Sequence, residues 1–240
     1  MSLSRYFLIF LLVLPVSPAR AMEENHNIDP WESMNRNIFA FNETLDRYLL
    51  RPVARGYDWV MPDFAQRGVG NFIANIYEFN SIFNSALQGR PVGVAHGTSR
   101  FLVNTSVGLA GLFDVATRMG IERKRADFGQ TLAVWGFDRG PFVMLPLFGP
   151  RTVRSGIGYF VDTYTSIPAL IDSRETAWIF WTVEVIDYRA NLLEADDLIT
   201  GDRYIFLRDA YLQTRQTFLN GGVVEDSFSD FDEGEDWEEF

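Results

Sequence analysis

Asp29-Pro30-Trp31-Glu32-Ser33-Met34-Asn35-Arg36-Asn37-Ile38-Phe39-Ala40-Phe41-Asn42-Glu43-Thr44-Leu45-Asp46-Arg47-Tyr48 is the stretch that sets the fold class. Asp29 can cap a helix, Pro30 suits a first helical position, and Glu32 stands three residues after the cap. Beyond this start Met34, Ile38, Phe41, Leu45 and Tyr48 recur every three or four residues. They form one apolar face, with Arg36, Glu43 and Arg47 turned away from it. Arg51-Pro52 is expected to end the element, because a residue before proline avoids helical geometry. The same test predicts helices over 64–75, 78–88, 92–106, 109–119, 151–162, 174–188 and 203–219. The last carries Tyr204, Leu207, Tyr211 and Phe218 on one side, and Gly221-Gly222 as its stop. No stretch alternates apolar and polar residues for long, and no Asn-Gly or Asp-Gly dipeptide joins two such runs. The expectation is an all-α fold with strands at most incidental.

Composition narrows the chemistry. The chain has 240 residues, of which 47% are apolar, enough for one large core or two small ones. The net charge is −11, the wrong sign for a nucleic-acid partner. There is no cysteine and there are only two histidines, so thiolate metal sites, disulfides and a cysteine nucleophile are excluded. Rings are abundant: 21 Phe, 9 Tyr and 6 Trp. Lys124 is the single lysine among 21 basic residues; guanidinium groups tolerate partial burial and grip phosphate better than ammonium does.

The two ends differ from the body. Arg5, the apolar run Tyr6 to Val16 and the small-x-small triplet Ala19-Arg20-Ala21 read as an export signal over residues 1–21. Its apolar run is too short for a membrane span. Residues 22–224 form the expected helical domain. In 225–240 nine of sixteen residues are acidic and none is basic, the composition of a disordered tail.

One segment resists the helical reading. Between Gly129 and Pro150 lie four glycines and three prolines, together with a dense set of apolar side chains. Such a segment either crosses a core or sits at a greasy surface, since tryptophan and tyrosine favour the membrane interface. The second reading puts Trp135, Phe137, Phe142, Leu145, Leu147 and Phe148 at a membrane. Phenylalanine also adjoins asparagine at Phe41-Asn42, Asn71-Phe72, Phe79-Asn80 and Phe83-Asn84. Those pairs suit either helix packing with amide caps or an amphipathic channel wall.

Catalytic motifs are absent from the sequence: no HExxH, GxSxG, P-loop, GxGxxG or EF-hand loop is present. His96 lies near Ser99 with no carboxylate following to orient the ring, and the adjacent Asp196-Asp197 diverge on a helix. No enzyme activity, cofactor or metal is expected.

Five ordered blocks go further. Asp29 to Arg36 with Phe39-Ala40-Phe41-Asn42 is the first, and Arg51-Pro52-Val53-Ala54-Arg55-Gly56-Tyr57 the second. Asp127 to Leu132 followed by Trp135-Gly136 is the third; Gly140-Pro141 through Leu145 to Pro150 and Thr152-Val153-Arg154 is the fourth. Asp202-Arg203-Tyr204 through Asp209 to Gln213 is the fifth. Together they resemble the MlaA (VacJ) family of outer-membrane lipid-asymmetry proteins over residues 29–219. The resemblance implies a flat helical ring in the inner leaflet of the outer membrane, with a polar channel. Through it phospholipids mislocalised to the outer leaflet would pass to a periplasmic carrier, MlaC. A trimeric porin would hold the ring, and an inner-membrane transporter would complete the route. It further implies that the signature residues Asn35, Arg36, Phe39, Phe41 and Asn42 handle lipid. Family members commonly carry an acylated lipobox cysteine; this sequence has none, so retention would rest on embedded apolar surface, a porin, or both. The alternative function is a non-catalytic envelope adaptor that ties a porin to periplasmic partners.

Overall fold

Residues 28–220 are described by the structure, a computed structural model. The export signal, the Gly221-Gly222 stop and the acidic tail lie outside the described residues. Helices dominate, as the periodicity requires, and the only sheet among the described residues is a two-stranded hairpin.

The first helix, α1 (Glu32–Leu45), begins two residues later than the cap reading places it. Asp29 does not cap it: its carboxylate is buried and accepts from the Asn35 amide at 2.8 Å and from the Tyr204 hydroxyl. Nor does Arg51-Pro52 stop the chain. A wide π-type turn, Asp46–Leu50, runs straight into α2 (Arg51–Val60), and the Arg51 N–H reaches the Asp46 carbonyl five residues back. The wider turn supplies room for the proline ring, and Pro52 then stands in the first turn of α2.

The two helices expected over 64–75 and 78–88 are one, α3 (Asp63–Leu87), since Ile76 and Tyr77 contain no breaker. Against α3 packs α4 (Pro91–Ser106). The helix expected over 109–119 is instead a series of turns ending in the short α5 (Val115–Arg118). Leu109 and Ala110 hold left-handed backbone with φ of 51° and 57°, which a continuing helix forbids. Gly108 permits the fold-back: a Cβ there would lie 2.3 Å from the Phe113 carbonyl oxygen.

The Gly/Pro-rich segment divides in two. Its start is helical after all: α6 (Phe128–Val134) is capped by Asp127, which accepts from the Gln130 N–H at 2.7 Å. Its end is an antiparallel hairpin of β1 (Phe142–Leu145) and β2 (Gly149–Thr152), with Phe142 opposite Thr152 and Leu145 opposite Gly149. Leu147 and Gly149 make the turn at φ of 68° and 73°. Then follow α7 (Val153–Thr165), α8 (Arg174–Ala190) and α9 (Arg203–Leu219). Thr152 and Ser155 form a reciprocal capping box on α7, and Ser173 and Asp202 cap α8 and α9.

The apolar core is small. Phe142, Met144 and Tyr204 are buried together, with Ile38, Phe39, Tyr211 and Leu212 packed around them. Ring pairs Phe39–Tyr204, Phe142–Tyr204 and Phe142–Tyr211 meet edge to face at 5.7, 6.3 and 6.3 Å. Sequence blocks one, four and five therefore converge on one place.

Candidate functional site

Most of the remaining interior is polar. Along α3 the buried side chains are Asn75, Glu78, Asn80, Ser81, Asn84 and Ser85 beside Ile73, whereas Phe64, Phe79 and Phe83 are exposed. The helix is amphipathic with its usual sense reversed. Its neighbour α4 turns Gly97, Arg100 and Asn104 inward. Two glycines let these helices approach: a Cβ on Gly93 would stand 2.9 Å from Ser85 Oγ, and one on Gly97 2.9 Å from Ile82 Cγ1.

Arg100 is the centre of this seam and is only 2% exposed. Its Nε donates to Glu78 at 3.0 Å, one terminal nitrogen donates to both Asp114 oxygens at 3.1 Å, and the other to Thr117 Oγ1 at 3.0 Å and to the Ile121 carbonyl. Burial alone would raise the Asp114 carboxyl, but hydrogen bonds from Thr117, Asn104 and Arg100 outweigh it and hold its pKa at about 2. Arg123 approaches Glu78 at 3.4 Å and donates to the Ala74 carbonyl at 3.0 Å. Burial, with Arg125 and Arg100 nearby, pulls its pKa down to about 10, so it stays charged at neutral pH. These groups, with Asn71, Asn75 and Asn104, enclose a cavity of about 40 Å³.

Farther along α3 a second polar cluster forms. Thr131 Oγ1 donates to Asn84 Oδ1 at 2.8 Å, the Gln88 amide donates to Thr131 at 3.0 Å, and the Asn84 amide donates to Asp162 at 2.8 Å. Asp162 also accepts the Phe128 N–H at 2.8 Å. Burial lifts its pKa to about 6 against the pull of these donors. Bidentate pairing of Arg215 with Asp127 at 2.5 and 2.8 Å ties α9 to the cap of α6.

The five signature residues do not gather around this interior. Asn35 is fully buried on the free edge of β1, accepting the Met144 N–H at 2.8 Å and donating to the Phe142 carbonyl at 3.3 Å. Two helical turns on, Asn42 accepts the Leu147 N–H and donates to the Leu145 carbonyl, both at 2.9 Å. Side-chain amides thus take the place of a third strand and satisfy an edge that burial would otherwise orphan. Phe39 packs on Tyr204, and Arg36 lies 4.5 Å over the Tyr204 ring while bonding Glu32 and Asp202. Phe41 is exposed.

Of the residues expected at a membrane interface, Trp135, Phe137 and Leu147 are exposed, and Leu145 and Phe148 are partly so. Phe142 is a correction: it is 0% exposed, because strand alternation turns it and Met144 toward Tyr204 and away from any surface. Elsewhere the exposed apolar side chains are numerous and large, among them Tyr48, Trp59, Phe64, Leu109, Tyr164, Trp178 and Ile179. Large apolar side chains exposed in such number suit contact with a membrane or a partner. No described helix is long and apolar enough to cross a membrane, and no described cluster of His, Asp or Glu could hold a metal. His96 Nε2 sits 2.5 Å from the Glu122 carbonyl and Ser99 bonds the Ala95 carbonyl, so the two do not meet as a pair.

This inverted arrangement sits within a recognisable sequence. Residues 27–218 match the family model described as MlaA lipoprotein. The chain belongs to the MlaA family. It is 36% identical over 207 residues to the intermembrane phospholipid transport system lipoprotein MlaA of Escherichia coli K12, covering 82% of this chain and 80% of that one. The Haemophilus influenzae protein of the same name is 32% identical over 206 residues, covering 83% and 82%. An uncharacterised protein of Rickettsia prowazekii is 33% identical over 193 residues, covering 78% and 76%. Among solved structures, a chain from work on the structural basis for maintenance of bacterial outer membrane lipid asymmetry superposes with a TM-score of 0.70. That chain is 37% identical, and the match covers 80% of this protein and 99% of that one.

Against the MlaA signature, sequence reasoning missed Glu78, Arg100, Asp114 and Asp162. A signal was available: Asn71, Asn75, Glu78 and Ser85, and likewise Gly93, Gly97, Arg100 and Asn104, recur at helical spacing.

Proposed function

We propose that this protein moves phospholipids at the outer membrane, removing those misplaced in the outer leaflet and passing them to a periplasmic carrier. One observation carries the reading: in a member of the MlaA family, α3 and the elements packed on it bury polar groups, while many large apolar side chains stand outside. An apolar coat suits residence in a leaflet, and a polar interior lowers the barrier for a headgroup that hydrocarbon would exclude. Five exposed tryptophans and many phenylalanines supply the attachment that a 30 Å apolar helix supplies elsewhere, about 20 residues long. The carrier MlaC and a trimeric porin are the partners this reading requires. Transport needs no bond broken, in keeping with the absence of catalytic motifs from the sequence. The test uses cells lacking the native protein. Expression of this chain is expected to reduce outer-leaflet phospholipid, and purification in detergent to recover bound phospholipid together with a porin. A porin without phospholipid, with outer-leaflet lipid unchanged, would favour the adaptor.

A further inference from the structure

The cavity between α3 and α4 has a chemical bias that transport alone does not demand. Its two cations and two carboxylates balance: Arg100 and Arg123 against Glu78 and Asp114. Arg100 is fully engaged by the protein. Apart from the Arg123 Nε, which faces Glu78 Oε1 at 3.4 Å, what the walls leave over is acceptors. Glu78 is 1% exposed and Asn75 4% exposed, yet Glu78 Oε2 and Asn75 Oδ1 have no hydrogen-bond partner. Unmet buried acceptors are costly, a carboxylate oxygen above all, so the site is suited to a group that brings donors. The space of about 40 Å³ admits one group the size of a water molecule, such as an ammonium or a hydroxyl. Arg123 is partly exposed at the edge of the cluster, its buried Nε turned toward Glu78, and Arg125 is exposed next to it. Guanidinium groups bind phosphate well. The turns at 107–113, whose Leu112 carbonyl is held by Asn71, expose Leu109, Leu112 and Phe113 beside this edge.

We propose that this cavity is a headgroup subsite for phospholipids whose polar tip carries hydrogen-bond donors. The tip enters between Glu78 and Asn75, and the phosphodiester rests at Arg123 and Arg125. Ethanolamine and glycerol headgroups both meet the requirement. A choline headgroup fails it twice, since its trimethylammonium has no N–H and is too large for the space. The inference rests on the phospholipid reading above and adds headgroup selectivity to it.

The full chain in detergent micelles is mixed with equal amounts of phosphatidylethanolamine, phosphatidylglycerol and phosphatidylcholine of matched acyl chains, and retained lipid is quantified by mass. Retention of the ethanolamine or glycerol lipid, or both, about tenfold above the choline lipid is expected, the scale of one hydrogen bond to a charged group. The ratio between the first two says whether ammonium or hydroxyl is the preferred tip. Asn75→Ala is expected to cut that preference severalfold, and Arg123→Gln to weaken retention of all three lipids. Equal retention of the three by the wild-type chain would overturn the subsite and leave the cavity to a bound water. Retention of none would overturn the phospholipid reading itself. Because the choline comparison uses the unaltered protein, misfolding of a variant cannot rescue the proposal.

Discussion

Two interiors coexist in this chain and are built on opposite rules. Around the hairpin, Phe142, Met144 and Tyr204 pack as an ordinary core, closed by the Asn35 and Asn42 amides. Between α3 and α4, Arg100, Glu78, Asn104 and their neighbours fill the space instead. Burying a phenylalanine contributes about 2 to 3 kcal/mol, whereas a buried ion pair roughly cancels against its own desolvation. The first interior holds the chain together; the second is kept at little or no gain in stability. A polar seam maintained on those terms, under a coat of exposed rings, is the feature on which the proposed function rests.

Unequal responses to substitution follow from that contrast. Arg100→Leu should have the largest effect, about 3 to 5 kcal/mol in a denaturant titration, because Glu78 and Asp114 lose the cation they share. Adding Glu78→Leu should recover part of the loss. A double variant less stable than the single one would mean that the seam is a stabilising core after all. Phe142→Ala should cost about 3 kcal/mol, read as a lower thermal midpoint, since the surrounding rings close over only part of the hole. Asn42→Ala should cost about 1 to 2 kcal/mol by orphaning the Leu147 N–H and the Leu145 carbonyl. Its loss should be confined to the hairpin, seen as faster amide exchange at Leu147 with α3 unchanged.

A different kind of effect is a slope with pH. Asp162 titrates at about 6 when folded, against 3.8 for an ordinary aspartate, so the folded chain binds the extra proton. Its contribution to stability is fully present below pH 3.8 and is lost as pH rises through 6. Asp162→Asn should flatten that part of the stability–pH curve while leaving the acid limb set by Asp114 near pH 2 in place. A curve identical to the wild type would place the titration elsewhere.

Helical periodicity was readable in α1, α3, α4, α7, α8 and α9 because 3.6-residue spacing survives whichever face is buried, whereas α2 and α6 went unread and most of 109–119 is turn. The sense of burial was not readable. At Phe79-Asn80 and Phe83-Asn84 the phenylalanine is exposed and the asparagine buried, the reverse of the usual rule, and nothing in spacing distinguishes the two senses. Of the stripe Met34, Ile38, Phe41, Leu45 and Tyr48, legible as one face, Met34, Phe41 and Tyr48 are exposed, while Ile38 packs on the core and Asn35 is fully buried. The hairpin went unread because its turn is Pro146-Leu147-Phe148 and the partner on its far edge is a pair of side chains 103 to 109 residues away. Two residues of the family signature, Asn35 and Asn42, hold hairpin backbone in the structure, a role that their spacing did not announce.

The position of the tryptophans has an optical consequence. Trp31, Trp59, Trp135, Trp178 and Trp181 are all at the surface, Trp59 at 87% exposure. Intrinsic emission from these indoles therefore reports the medium touching the protein and says little about its interior. A blue shift marks transfer from buffer into hydrocarbon, and quenchers fixed at known positions along acyl chains rank the five by depth. The molecule carries its own immersion gauge, spread over α2, α8 and the turns beside α1 and α6, with no label to attach.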